Sequence, residues 1–221
     1  MIKKFLIYSS ILIVFTLIFN SLKFEKLENS TFYQTEKFNF KNNNKLIINN
    51  ASWKSSNDSV YNEIIKVHEN NYLSSKGYKE KIIPPSWTYL YKKITENDKN
   101  KLEHIYRLLD SLNNKNNFSR YEFADLIVTF VQSIPYNLLV QSSCENASKN
   151  TSIKKMIDNG ILCEEFVYAG LYTPAEFMTN YKGDCDTRTL FLYTILSDYD
   201  FDVVILNSDL YAHSILGVNI A

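Results

Sequence analysis

The feature that most constrains this sequence is a cysteine, Cys185, that stands at the predicted start of a helix. Gly183 can take the left-handed conformation that ends a preceding helix, and Asp184 can then cap a second one. Residues 187–195 carry Thr, Leu, Phe and Ile side chains at three- and four-residue spacing, which is one face of that second helix. We therefore predict that Cys185 lies in its first turn.

The segment before Gly183 carries its own helix-start signal. Thr173 and Glu176 have the spacing of a capping box, and Pro174 occupies the first helical position, where proline is favoured. The sequence therefore predicts two consecutive helices, the second of which begins at the cysteine.

The predicted position of Cys185 suggests a chemical role for its thiol. A thiol at a helix N-terminus lies close to unpaired backbone N–H groups and to the positive end of the helix dipole, and we expect a lowered pKa. An imidazole nearby would complete its activation as a nucleophile. His213 is suited to this role, because it lies in a strand-like run at 211–220. That run follows a predicted strand at 203–206 and a predicted hairpin turn at 207–209.

The order of Pro174, Gly183-Asp184-Cys185-Asp186, Thr187-Arg188 and His213 resembles the transglutaminase-like superfamily. The resemblance covers residues 120–221. It implies an α+β fold with a papain-like core, in which helices are followed by antiparallel strands. It also implies that Cys185 is the nucleophile and His213 its base. The activity would be acyl transfer from an amide or peptide, either as a cysteine protease-like hydrolase or as a transamidase.

In that family a third residue, usually Asp, orients the histidine from the next strand. No residue after His213 matches it, and the apolar pattern runs on to Ile220, so we expect the domain to be cut short at its C-terminus. By analogy with papain-like sites, Gln132 is a candidate donor to the oxyanion, beside the backbone N–H of Cys185. The missing third residue leaves open a catalytically inactive binding or scaffold module with the same fold.

The N-terminus indicates export. Lys3 and Lys4 precede an apolar run at 5–22, whose length lies between a signal-peptide core and a spanning helix, and no A-x-A-like cleavage site follows. We predict that residues 1–22 are an uncleaved signal-anchor, which would place the protein on the extracytoplasmic face of a membrane, periplasmic or at the cell surface. The alternative is a cleaved signal peptide and a secreted or periplasmic protein. We read residues 23–56, rich in Asn, Lys and Ser, as a polar tether, and 57–221 as the domain.

The two other cysteines, Cys144 and Cys163, flank a polar stretch of the chain. In an exported protein such a pair usually forms a disulfide, which we expect here. Two unpaired structural cysteines are the alternative.

Helical periodicity predicts three further helices before Tyr172, at 60–67, at 102–112 after a cap at Asn97 or Asp98, and at 120–134. His68 and His104 fall in Asn- and Lys-rich helical segments, and we interpret both as solvated surface histidines.

Charge and ligand spacing argue against several classes of partner. Lysine plus arginine and aspartate plus glutamate each number 24, and without a basic patch a nucleic-acid partner is not expected. Asp184 and Asp186 flank a cysteine, but no further Cys or His stands at ligand spacing, so we predict no metal or cofactor site. The sequence leaves the protein or peptide substrate unnamed.

Overall fold

The computed structural model describes residues 45–208 and 213–220, which form a mixed α+β structure with three small two-stranded sheets. The strands are β1 Leu46–Lys54, β2 Val60–His68, β3 Asn137–Leu139, β4 Leu162–Glu164, β5 Asp202–Ser208 and β6 His213–Asn219. The helices are α1 Glu69–Lys79, α2 Trp87–Asp98, α3 Glu103–Asn116, α4 Arg120–Ser133, α5 Cys144–Ala147, α6 Thr151–Asp158, α7 Pro174–Asn180 and α8 Cys185–Asp198.

The first two strands correct two predictions. β1 and β2 form an antiparallel hairpin in which Leu46 is opposite His68 and Lys54 is opposite Val60. Residues 60–67 are therefore a strand and not a helix, and residues 46–54 are not part of a tether. Because Trp53 and Ile65 of this hairpin are buried, the folded domain includes it, and the predicted boundary at residue 57 is too late.

The core lies between the β1–β2 hairpin and the helices that carry the predicted site. Trp53 stacks on Tyr61 of its own hairpin and packs against Phe130 of α4, with a ring-centroid distance of 5.0 Å in each case. Phe177 of α7 contacts Phe191 of α8 edge to face at 5.4 Å. These aromatic contacts connect α4, α7 and α8 through one buried cluster, and that cluster fixes where α8 begins.

The helix predictions have mixed outcomes. The helix predicted at 120–134 is confirmed as α4, which begins with a capping box formed by Ser119 and Glu122. The cap predicted at Asn97 or Asp98 is wrong, because α2 runs through Asp98 and α3 begins only at Glu103. Helices α1, α2, α5 and α6 were not predicted, although Trp87, Leu90, Tyr91 and Ile94 of α2 stand at helical spacing.

Helix α7 is anchored at its N-terminus by buried polar groups. The predicted capping box is confirmed, with the Glu176 N–H donating to Thr173 Oγ1 at 3.2 Å and the Thr173 N–H to Glu176 Oε2 at 2.8 Å. Lys79 of α1 is paired with Glu176 at 2.8 Å and donates to the Leu171 carbonyl at 2.7 Å. Removing one partner of a buried ion pair leaves the other charge uncompensated, so this group holds the helix start in place.

The two cysteines predicted as a pair lie on α5 and β4. Cys144 and Cys163 are joined by a disulfide, with their Cα atoms 6.2 Å apart. β4 pairs in parallel with β3, directly after α4. The disulfide therefore links the start of the segment that carries α5 and α6 to the short β3–β4 sheet.

The last two strands, β5 and β6, form an antiparallel hairpin with Ser208 opposite His213. The predicted strand at 203–206 is confirmed, although β5 is longer and includes Asn207 and Ser208, which were predicted to turn. The connection at 209–212 lies outside the described residues.

The predicted signal-anchor at 1–22 and the tether up to residue 44 also lie outside the described residues. Among the helices that the structure describes, none combines the length and apolarity needed to cross a bilayer.

Candidate active site

The start of α8 places Cys185 at its first helical residue. Asp184 is the N-cap, and its side chain accepts the Thr187 N–H at 3.0 Å. A Cβ on Gly183 would lie 2.8 Å from the Thr187 methyl carbon and 3.0 Å from the Phe177 ring. A side chain at this position would force Thr187 or Phe177 to shift, so glycine allows α7 and α8 to pack closely. The left-handed residue that ends α7 is Tyr181, and not Gly183 as was predicted.

The chain after α4 runs beside this helix start. The Asn137 N–H donates to the Gly183 carbonyl at 3.2 Å, and the Gly183 N–H donates to the Pro135 carbonyl at 3.3 Å. Arg188 of α8 fixes the same segment, because its Nη2 donates to the Ile134 carbonyl at 2.5 Å. This pairing brings Tyr136 next to Cys185, and the Arg188 guanidinium lies 5.1 Å from the centre of the Tyr136 ring.

Cys185 opens onto a cavity of about 310 Å³. Gln132, Tyr136 and His213 line the same cavity. The structure thus brings Cys185, His213 and Gln132 to one cavity from three separate elements, α8, β6 and the last turn of α4. Within the part of the chain that the structure describes, no hydrogen bond joins the Cys185 thiol to the His213 ring.

The surroundings of the thiol correct the expected direction of its pKa. Burial raises the pKa of Cys185, and the charges of Asp186 and Asp184 raise it further. The backbone N–H of Ser214 and the hydroxyl of Tyr136 act in the opposite direction, because both can donate to a thiolate. The desolvation of a buried sulfur outweighs these donors, so the prediction of a lowered pKa is wrong for the resting thiol.

Strand β6 is attached to the first turn of α8 through Ser214, the neighbour of His213. The Ser214 hydroxyl hydrogen-bonds to Asp186 and lies 2.6 Å from Oδ1 of Asn207. The Tyr91 hydroxyl donates to the same Asp186 oxygen at 3.0 Å. Thr189 adds a bond from its hydroxyl to the Ser214 carbonyl at 3.3 Å. This set of bonds fixes the strand position from which His213 projects.

A second cavity, of about 220 Å³, lies next to the first. His213, Asp186 and Asn207 are among the residues that line it. His213 therefore borders both cavities, one shared with the thiol and the other with a carboxylate and an amide. In the described residues, no side chain hydrogen-bonds to the His213 ring.

The N-cap carboxyl next to the cysteine is itself perturbed. Burial raises the pKa of Asp184 to about 7, although the Thr187 N–H works in the opposite direction. The carboxyl is therefore only partly ionised near neutral pH. Its charge state is coupled to the thiol, since an ionised Asp184 raises the pKa of Cys185.

Several residues of this site were missed from the sequence. Tyr136 contacts the thiol because the segment after α4 pairs with Gly183, which no local pattern reveals. Asp186 and Ser214 were seen only as neighbours of Cys185 and His213, and their bond joins residues 28 positions apart. The one usable signal was Pro135, which marks the end of the helical pattern just before Tyr136.

Comparisons of the chain with protein-family models, with curated proteins and with solved structures found no match.

Proposed function

We propose that this protein is a thiol-dependent acyl-transfer enzyme that acts on an amide or peptide carbonyl. The observation that carries the proposal is that Cys185, at the first residue of α8, shares one cavity with His213 and Gln132. Cavities of this size accept a side chain or a small ligand. The resemblance to the transglutaminase-like superfamily supports the same assignment, and with it a papain-like arrangement of α8 and the β5–β6 hairpin.

In the proposed reaction the thiol is protonated at rest, because burial raises its pKa. The Cys185 sulfur attacks the carbonyl carbon while His213 takes the thiol proton as general base. The resulting oxyanion accepts hydrogen bonds from the backbone N–H of Cys185 and from the Gln132 amide. The C–N bond then breaks, His213 returns the proton to the leaving amine, and a thioester remains on Cys185. Water or a second amine resolves the thioester and restores the thiol.

A group that orients His213 is also needed in such a mechanism. Asp186 and Asn207 border the second cavity together with His213 and are the described side chains best placed for this role. Asp186 is held by both Tyr91 and Ser214, whereas Asn207 is bonded to the Ser214 hydroxyl, so Asn207 has fewer bonds to break in turning toward the ring.

The proposed setting is the extracytoplasmic face of a membrane. It rests on the basic and apolar N-terminal sequence and agrees with the Cys144–Cys163 disulfide, since disulfides persist in oxidising compartments. A cleaved signal peptide would give a secreted or periplasmic protein instead. Fractionation and N-terminal sequencing of the mature protein distinguish the two, because cleavage would produce a new N-terminus between residues 20 and 35.

A second candidate function is a non-catalytic binding or scaffold module. Two observations favour it: the raised pKa of the buried Cys185 thiol and the absence of a Cys185–His213 hydrogen bond among the described residues. In this case the cavity would bind a side chain of a partner protein without reacting with it.

Alkylation of the thiol separates the two functions. The full chain, with its disulfide intact, is treated with an amide-bearing thiol electrophile over a range of pH, and the rate is compared with that of a model thiol. An enzyme should react faster than the model thiol at neutral pH, and Cys185→Ala should remove all labelling while the circular dichroism spectrum is kept. A rate below that of the model thiol at every pH would support the binding module and contradict the proposed enzyme.

A further inference from the structure

The end of strand β2 and the start of helix α3 bring two histidines and a glutamate together, contrary to the expectation of isolated surface histidines. His68 Nε2 lies 3.1 Å from His104 Nε2 and 3.1 Å from Glu103 Oε1, while His104 Nε2 lies 3.6 Å from the same carboxylate oxygen. Among the described residues, this is the one group of three such side chains whose ligand atoms all lie within 4.8 Å of one another.

Hydrogen bonding alone accounts poorly for this arrangement. A neutral imidazole has one N–H and one lone pair, so two Nε2 atoms in contact cannot both carry a proton. If His68 Nε2 carries it, that single proton faces both the His104 lone pair and the Glu103 oxygen. If His104 carries it, the His68 lone pair faces the carboxylate at 3.1 Å. Each assignment leaves one close contact without its own proton.

A metal ion resolves this conflict because it accepts a lone pair from all three atoms. Imidazole nitrogen and carboxylate oxygen bind Zn²⁺ at about 2.0–2.2 Å, which in a tetrahedral site puts neighbouring ligand atoms about 3.3 Å apart. The three observed separations, 3.1, 3.1 and 3.6 Å, lie on both sides of that value. Two histidines and one glutamate are also a recognised zinc ligand set that keeps a fourth position open.

We propose that His68, Glu103 and His104 form a binding site for a divalent transition-metal ion of the zinc class, with one coordination position open to water or to a further ligand. The site would join the end of the β1–β2 hairpin to the first turn of α3. All three side chains are partly exposed, so an ion can reach them from solvent.

The charges around His68, Glu103 and His104 limit the affinity of the site for a cation. Glu103 and His104 are the first residues of α3, where the positive end of the helix dipole disfavours a cation. Arg107 also lies near, but it contacts the other Glu103 oxygen, Oε2, at 3.6 Å and leaves Oε1 directed at the histidines. The negative charge of Glu103 is therefore essential to the site, and its loss should weaken binding as much as loss of a histidine.

The test is a calorimetric titration of the full, chelator-treated chain with Zn²⁺ in a Cys185→Ser background, which removes the thiol as a competing ligand. We expect one ion per chain. His68→Ala, His104→Ala and Glu103→Gln should each weaken binding by at least about 100-fold, because losing even a group that only supports a ligand costs 10- to 100-fold. Zn²⁺ should raise the melting temperature of the Cys185→Ser protein by several degrees and leave that of the same protein with His68→Ala unchanged.

Two matched controls keep the test specific. His213→Ala removes the third histidine of the chain and Glu96→Gln removes an exposed glutamate of α2, and both should bind Zn²⁺ as the parent does. Substitution by Co²⁺ in the parent chain should give the visible spectrum of a nitrogen and oxygen site without a thiolate charge-transfer band. Absence of saturable binding, or binding that survives both His68→Ala and His104→Ala, would overturn the proposal. So would a thiolate band that disappears in Cys185→Ser, since it would place the ion at the cysteine.

Discussion

The β1–β2 and β5–β6 hairpins contact the helices in the same way but place their histidines in different surroundings. Each directs one polar side chain inward to a helix end. Asn49 of β1 donates to the carbonyls of Met178 and Thr179 at the C-terminal end of α7, at 2.9 and 3.1 Å. Ser214 of β6 hydrogen-bonds to Asp186 in the first turn of α8. Each hairpin also presents a histidine at a strand end, His68 or His213.

The two hairpins differ in the groups that surround each histidine. The Nε2 atom of His68 lies 3.1 Å from each of two other potential ligand atoms, so this group of side chains is already assembled. His213 borders a cavity of about 310 Å³ with Cys185 and has no hydrogen bond to it among the described residues. A base that acts on a substrate needs such a space, whereas the ligands of a preformed ion site lie close together. The same hairpin design can thus support a preassembled site or an open one.

The largest expected effect is at the open site. If His213 is the general base, His213→Ala should slow labelling of Cys185 by an amide-bearing electrophile by about 10²-fold or more, because general bases typically contribute 10²- to 10⁴-fold. His213→Gln, which keeps a hydrogen-bonding side chain without a base, should be equally slow. Ile48→Ala, at an exposed position of the other hairpin, should react like the parent. Equal rates in all four proteins would remove His213 from the mechanism.

The next effect tests whether the β1–β2 hairpin is a core element. Trp53 is 4% exposed and contacts both Tyr61 and Phe130. Trp53→Ala should lower the free energy of unfolding by about 3–5 kcal/mol, as large-to-small changes of buried aromatic residues do. The control Ile48→Ala should change it by about 0.5 kcal/mol or less. Urea unfolding measures both, and a small effect at Trp53 would restore the interpretation of this segment as a tether.

The helix starts at Thr173 and Cys185 were predictable because caps are local signals. Their residues lie within four positions of one another, and the capping geometry follows from the side chains themselves. The β5–β6 hairpin was predictable for a related reason, since its apolar run stands between polar turn residues. The mixed α+β class follows from these elements.

The β1–β2 hairpin was mispredicted because its inward face is partly polar. Every second residue of β1 points inward from Ile47, and one of these is Asn49, whose partners are main-chain oxygens of a distant helix. In β2 the inward residues Ile65 and Val67 alternate with polar ones, but two further apolar residues face outward and imitate a helical stripe. Only the pairing of the two strands shows that the period is that of a strand and not that of a helix. Pairing depends on residues that are distant in the sequence.

The contacts around Cys185 could not be predicted for the same reason. Tyr136 reaches the site through a loop pairing, and Ser214 through the docking of β6, which also makes its bond to Asp186; both join distant parts of the chain. The raised pKa of Cys185 follows from burial, which the helix-dipole argument does not include.

A pH-dependent effect is expected at Asp184, which lies between α7 and the thiol. Its folded pKa of about 7 is above the ordinary value of 3.8, so the native state binds more protons than the unfolded state between these limits. Stability should therefore fall as pH rises from about 4 to 7, by up to about 4 kcal/mol from this group. Asp184→Asn keeps a good N-cap and removes the titration. Above pH 7 the variant should be more stable than the parent, and its Cys185 pKa should be lower.

Urea unfolding at pH 5 and pH 8, with alkylation of Cys185 against pH, provides the two measurements. The contrary result is that Asp184→Asn is less stable than the parent by the same amount at both pH values. That result would show that the fold requires the ionised carboxylate, and that burial does not determine the pKa of Asp184.

The smallest expected effects separate the two inward polar side chains. Asn49→Ala and Ser214→Ala each remove side-chain hydrogen bonds to a helix end, and each should lower the free energy of unfolding by about 1–2 kcal/mol. Only Ser214→Ala should also slow labelling of Cys185, because Ser214 fixes the strand segment that carries His213 and supplies a backbone N–H to the thiol. Asn49 acts on α7 and has no contact with the thiol cavity, so its variant should be labelled at the parent rate. The comparison uses denaturation curves and alkylation rates on the same samples. Equal slowing in both variants would mean that reactivity follows overall stability, and that β6 has no specific role in positioning His213.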